Sequence, residues 1–200
     1  MVVYRGRRLL WEERRMKAWK TGTVALYLAA IVAANVMTAR LAPPAIGPFI
    51  VPAGTFLIGA TFVLRDLVQN AIGRTATYFW IAVAMVLSAV TSYALGDTLW
   101  IVFASALTFL FSETVDTELY TRLRLSMSQR VLVSGTVGSL LDSTIFVVVG
   151  LSPLGAGFLS WDQVGRAIAG QAVIKTALQL VGALAIGQFV RFSRVNHYSR

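Results

Sequence analysis

The side chains able to do chemistry are few, and most lie where the surrounding sequence is apolar. Glu113, Asp116 and Tyr120 follow one another at i, i+3 and i+7, which places two carboxylates and a phenol on one face of a helix. Asp142 stands in the middle of a second apolar stretch, with Ser134 and Gly138 on its face at i−8 and i−4. Lys175 stands in the middle of a third, between Gln171 and Gln179. A charge at such a depth costs a few kcal/mol or more and normally faces a partner or a cavity. Asp142 and Glu113 are therefore the candidate counterions of Lys175, and this polar face serves equally as structural glue or as a contact for a ligand. Arg65 and Asp66, with Gln69 and Asn70 after them, read as an interfacial anchor with a local pair. Asn35 and Thr38 read as helix–helix hydrogen bonds.

The residues that are missing exclude other chemistry. There are no cysteines among 200 residues and one histidine, His197, near the end, so thiolate, zinc–thiolate, haem and Ser-His-Asp sites are not expected. No phosphate-binding loop sequence for ATP occurs. No catalytic role, metal or cofactor is expected. An intramembrane enzyme using the three acids, or a scaffold whose charges only hold helices together, are the competing classes.

The elements that position these residues must be membrane helices. The chain is 56% hydrophobic and 14% charged, with a mean hydropathy of +0.69, too apolar for a soluble domain of this size. Crossing about 30 Å of hydrocarbon takes about 20 helical residues. Six segments qualify: 21–42, 47–66, 75–95, 98–121, 131–150 and 164–190. The fourth has too short an apolar run, Leu99 to Phe111, so its helix must continue through Ser112 and the acids, unless it ends there and leaves them in water. A proline-rich turn at 43–48 and a Gly/Ser/Pro-rich interfacial loop at 150–163 join spans.

The expected organisation is a basic cytoplasmic arm (1–20), a six-helix membrane domain (21–190) and a cytoplasmic tail (191–200). Of 18 Lys and Arg residues, fifteen fall on one side of this arrangement. Arg40 and Arg166 fall on the other, and Lys175 within a span. That asymmetry puts both termini in the cytoplasm and supports six spans. The net charge of +9 is explained by the anionic inner leaflet, not by nucleic acid. Ala25, Ala29 and Ala33 form a stripe of small residues suited to close packing, within the bundle or against a partner.

The order and spacing of these residues resemble the queuosine precursor transporter family, also called the VUT family. The resemblance runs through Asn35, Pro52-Ala53-Gly54, Arg65-Asp66 with Gln69 and Gly73, and Ser112-Glu113 with Asp116 and Tyr120. It continues through Arg122, Arg130, Gly138, Asp142-Ser143, Phe146 and Lys175. The Ser-Glu-x-x-Asp run with the later Asp-Ser is its most specific part. One departure is Gly135 after Ser134, where family members often have asparagine.

The resemblance implies an all-α inner-membrane importer of 7-deazaguanines such as preQ0 and preQ1, the precursors of queuosine in tRNA. Its fold would be similar to the substrate-binding subunits of energy-coupling-factor transporters, with an ATPase module possible but not required. The substrate-binding candidates are Asn35, Glu113, Asp116, Asp142, Ser143, Phe146, Gln171 and Lys175. A carboxylate would accept from the adjacent ring N–H and amine, amides or Lys175 would donate to the carbonyl, and Phe146 or Tyr120 would stack on the ring. The expected partners are this planar heterocycle and the lipid bilayer. The alternative is a subunit for a vitamin-like heterocycle that does need an ATPase, with the alanine stripe as its docking face.

Overall fold

A computed structural model describes residues 2–41, 45–46 and 49–198. Six α-helices run through them: α1 (Val2–Arg40), α2 (Thr55–Ile72), α3 (Arg74–Ala94), α4 (Leu99–Arg122), α5 (Met127–Ile145) and α6 (Trp161–Tyr198). A π-helical turn, Phe146–Leu151, extends α5. Between α1 and α2, a two-residue hairpin pairs Ala45–Ile46 with Phe49–Ile50. Pro43, Pro44 and Pro48 of the expected turn lie outside the described residues.

Five of these helices are long and apolar enough to cross a membrane: α1 over Glu12–Arg40, α3, α4, α5 with its π turn (Met127–Leu151), and α6 over Trp161–Gln188. The fold is that of a polytopic, all-helical membrane protein. α2 falls outside the five because its 18 residues include Arg65, Asp66, Gln69 and Asn70. It also begins later than the expected 47–66 span. Thr55 N–H donates to the Pro52 carbonyl in a turn that starts the helix, and Pro52 and Gly54 hold the chain against α1 instead of extending the helix backwards. α1 runs without interruption from Val2 into the apolar segment.

Close helix approach depends on a few glycines. A Cβ on Gly54 would lie 2.1 Å from Thr38 Oγ1 and 2.3 Å from the Ala34 carbonyl oxygen. One on Gly138 would lie 2.9 Å from the Phe62 ring and 3.1 Å from Asp116 Cβ. Gly138 thus lets the Asp142 face of α5 close on the acidic face of α4. Gly73, at φ +85°, ends α2 and makes the single-residue turn into α3. The alanine stripe is not a bundle seam, because Ala25, Ala29 and Ala33 are all exposed on the outside of α1.

Apolar side chains face outward along the bundle, among them Phe79, Val86, Phe103, Leu140, Val173 and Leu184. The centre is polar instead: Arg65, Asp66, Glu113, Asp116, Gln171, Lys175 and Gln179 are all buried. This inside-out distribution is the one lipid requires.

Candidate functional site

Two polar centres occupy the middle of the bundle, one above the other. The upper centre is built on α5 and α6. Lys175 Nζ donates to Asp142 Oδ2, to Ser143 Oγ at 3.2 Å and to Gln171 Oε1 at 3.2 Å. The ammonium spends its three hydrogens on these groups, and Asp142 loses no energy to an unpaired burial. The other end of the Gln171 amide, Nε2, is buried without a partner.

These groups form the floor of an open cavity. An inner recess of about 80 Å³ reaches Asp142, Phe146, Gln171 and Lys175 from Asn35, Thr55, Ser88 and Thr108. It shares Thr38, Pro52, Asp97, Ile101, Phe146 and Gln171 with an outer chamber of about 430 Å³, closed on its far side by Leu151, Phe158 and Leu159. The chamber falls within the ~300–1,000 Å³ of small-molecule sites. It opens at the end of the bundle carrying the hairpin, the α3–α4 turn and the loop after the π turn.

The lower centre lies on α2 and α4. Arg65 is fully buried, and its Nε donates to Glu113 Oε2 at 3.0 Å. Nη1 donates to Gln69 Oε1 at 3.0 Å and to Thr117 Oγ1 at 3.3 Å, and it lies 2.9 Å from Asp66 Oδ1. Nη2 is in ionic contact with Asp116. Beyond it, Arg130 lies over the Tyr120 ring, 4.5 Å from its centroid.

The expected site residues therefore divide. Asn35, Asp142, Phe146, Gln171 and Lys175 line the recess. Ser143 stands directly behind, buried and receiving Lys175. Glu113 and Asp116 do not line it; they are held by Arg65 below. α4 runs on to Arg122, so the reading in which it ends at Ser112 and leaves the acids in water does not hold. Of the two counterions expected for Lys175, Asp142 is the one it meets.

Arg65 is the main correction. It is not an interfacial anchor but the central cation of three carboxylates, so it leaves the count of cytoplasmic charges. Ser88, Ser92 and Asp97 were missed. Asn35 Nδ2 donates to the Ser88 carbonyl and hydroxyl, both at 3.0 Å, and Asp97 accepts from Ser92 at the chamber mouth. Ser88 and Ser92, one turn apart, gave a usable signal of a polar stripe in α3.

Residues 89–188, from the end of α3 through most of α6, match the Vut_1 family, described as "Putative vitamin uptake transporter". No curated protein and no solved structure matches the chain. The match includes Asp97, the acids of α4, Asp142 of α5, Phe146 of the π turn, and Gln171 and Lys175 of α6.

Proposed function

Because the chain belongs to this vitamin uptake transporter family, a family of membrane importers rather than enzymes, we propose that it imports queuosine precursors. Its cargo is a 7-deazaguanine such as preQ0 or preQ1, carried across the bacterial inner membrane for tRNA queuosine salvage. The observation that carries the reading is the Gln171–Lys175–Asp142 floor of the open recess, where Gln171 Nε2 is a buried donor without an acceptor. A donor in that state loses about 1–3 kcal/mol that a ligand carbonyl would restore.

The complementarity is that of a guanine-like edge. Asp142 accepts from the ring N–H and the exocyclic amine, while Gln171 donates to the ring carbonyl. Lys175 fixes the carboxylate, and Ser143 in turn accepts from Lys175. Phe146, at the junction of recess and chamber, stacks on the ring, and Asn35 closes the recess opposite. Glu113 and Asp116 act from below, through the α4–α5 seam at Gly138.

In this reading all six helices cross the bilayer, α2 with its charges shielded by α1, α4, α5 and α6, as in energy-coupling-factor substrate-binding subunits. Both termini are cytoplasmic, and the chamber opens to the outside. The cargo enters without an obligatory ATPase module.

The test is tRNA queuosine in a bacterial strain unable to make or import 7-deazaguanines, fed the aminomethyl base. Expression of this chain restores queuosine, and Asp142→Asn, present at equal level in the membrane, does not. Failure of the wild-type chain to restore it, when folded in the membrane, contradicts the proposed cargo.

A further inference from the structure

The lower centre is out of electrical balance. Three carboxylates, Asp66, Glu113 and Asp116, surround one guanidinium, and all four side chains are at most 2% exposed. Lys175 brings no relief, since Asp142 neutralises it in the centre above. Even with Arg130 at the edge of the cluster counted, one negative charge is left uncompensated at membrane depth, which is not sustainable as such.

The hydrogen bonding is incomplete in the same place. Asp66 Oδ2 and Asp116 Oδ1 are buried without a hydrogen-bond donor, while the other oxygen of each carboxylate faces Arg65. The Tyr120 hydroxyl, which lies within electrostatic reach of Asp66 and Asp116, is buried without a partner. A proton bound to one of these carboxylate oxygens removes a buried charge and turns that oxygen into an O–H donor.

The charged and titratable groups around the cluster come from four helices. α1 contributes Tyr27, whose hydroxyl is also unpartnered; α2 contributes Arg65 and Asp66; α4 contributes Glu113, Asp116 and Tyr120; α5 contributes Arg130 and Asp142. Lys175 of α6 reaches it only through Asp142. On α3, Arg74 and Tyr78 engage Glu118 instead, and Tyr93 is exposed. Arg130 is only partly buried and faces Tyr120 at the end of the cluster away from the chamber.

We propose that the Asp66–Glu113–Asp116 cluster around Arg65 is a proton-binding site, and that proton transfer through it drives import as symport. A proton enters from the outer chamber past Asp142 and resides on a carboxylate oxygen of the cluster. It leaves towards water at the Tyr120–Arg130 end. No bond other than O–H forms or breaks, and charge balances with the proton carried. Gly138 is the mechanical link, because its bare Cα holds the Asp142 helix against Asp116. The bound proton does not depend on the identity of the cargo; the symport step rests on the importer reading.

The first test needs no cargo. Infrared spectra of the purified protein in lipid at neutral pH show a protonated-carboxyl C=O band that shifts in D2O and is weakened in Asp66→Asn, Glu113→Gln or Asp116→Asn. Absence of the band in the wild type, or its persistence unchanged in all three variants, overturns the proton site. The second test uses proteoliposomes and the radiolabelled aminomethyl base. An inward proton gradient drives accumulation approaching about tenfold per pH unit for one proton per base, and a protonophore abolishes it. Asp66→Asn keeps gradient-free exchange of internal for external base but loses the gradient response. Exchange by the wild type with no response to the gradient overturns the coupling. Absence of exchange in the wild type contradicts the importer reading instead, and the infrared band then decides the proton site alone.

Discussion

At the scale of single residues, the two centres respond differently to substitution. Arg65 is the cation in direct contact with three buried acids, so Arg65→Met leaves them without their central counterion. Breaking such a cluster from one side costs about 3–5 kcal/mol; the prediction is a large fall in thermal stability of the purified protein, read by a melting assay in detergent. Removing one acid at the same time, as in Arg65→Met with Asp66→Asn, recovers part of that loss, because the two effects are coupled. Gly135 offers a second case. A Cβ there would stand 2.4 Å from Gln179 Oε1, and Gln179 is itself tied to the Gly59 carbonyl through Nε2 at 3.3 Å. Gly135→Ala is therefore expected to destabilise by about 1–3 kcal/mol, and Gln179→Ala to relieve most of the strain when combined with it. The asparagine common at this position in the resembled family has no room here beside Gln179.

Helices show how much of this was legible and where legibility stopped. α4 was readable through its acids, because an apolar run too short to span alone forced the helix onward to Tyr120. The pairing of Lys175 with Asp142 was readable as one of two choices. Arg65 was not, since an arginine one residue before an aspartate at the end of an apolar run looks like an anchor. Its partner Glu113 is 48 positions away, and no local pattern announces such a contact. The start of α2 was missed because the apolar residues before it continue the hydropathy signal through the hairpin, while the actual stop is steric, at Pro52 and Gly54. That junction carries a prediction. Gly54→Ala inserts a methyl group 2.1 Å from Thr38 Oγ1, so α1 and α2 must separate beside the recess. The expected result is a lower melting temperature together with weakened base binding. Gly22→Ala, with nothing near its Cβ, is the silent control in the same helix pair.

The molecule as a whole is a polar interior wrapped in an apolar exterior, with its chamber at one end. The proposed topology faces that end outward, and the chain provides a clean test because it contains no cysteine. A single cysteine at Leu154, exposed in the loop after the π turn, is expected to react with an impermeant maleimide added to intact cells. One at Leu125, exposed in the turn between α4 and α5, is expected to react only after the membrane is opened. The reverse pattern would place the chamber on the cytoplasmic side and turn the proposed importer into an exporter or a cytoplasmic binding protein.

The central claim is that the Gln171–Lys175–Asp142 floor recognises the edge of a 7-deazaguanine. Equilibrium titration of the purified protein in lipid nanodiscs with the aminomethyl base tests it most directly. Saturable binding is predicted, weakened about ten- to a hundredfold by Asp142→Asn and by Gln171→Leu, as expected for losing a hydrogen bond to a charged or otherwise unpaired buried group. Binding of equal strength in both variants, or no saturable binding by a correctly folded wild type, would contradict it.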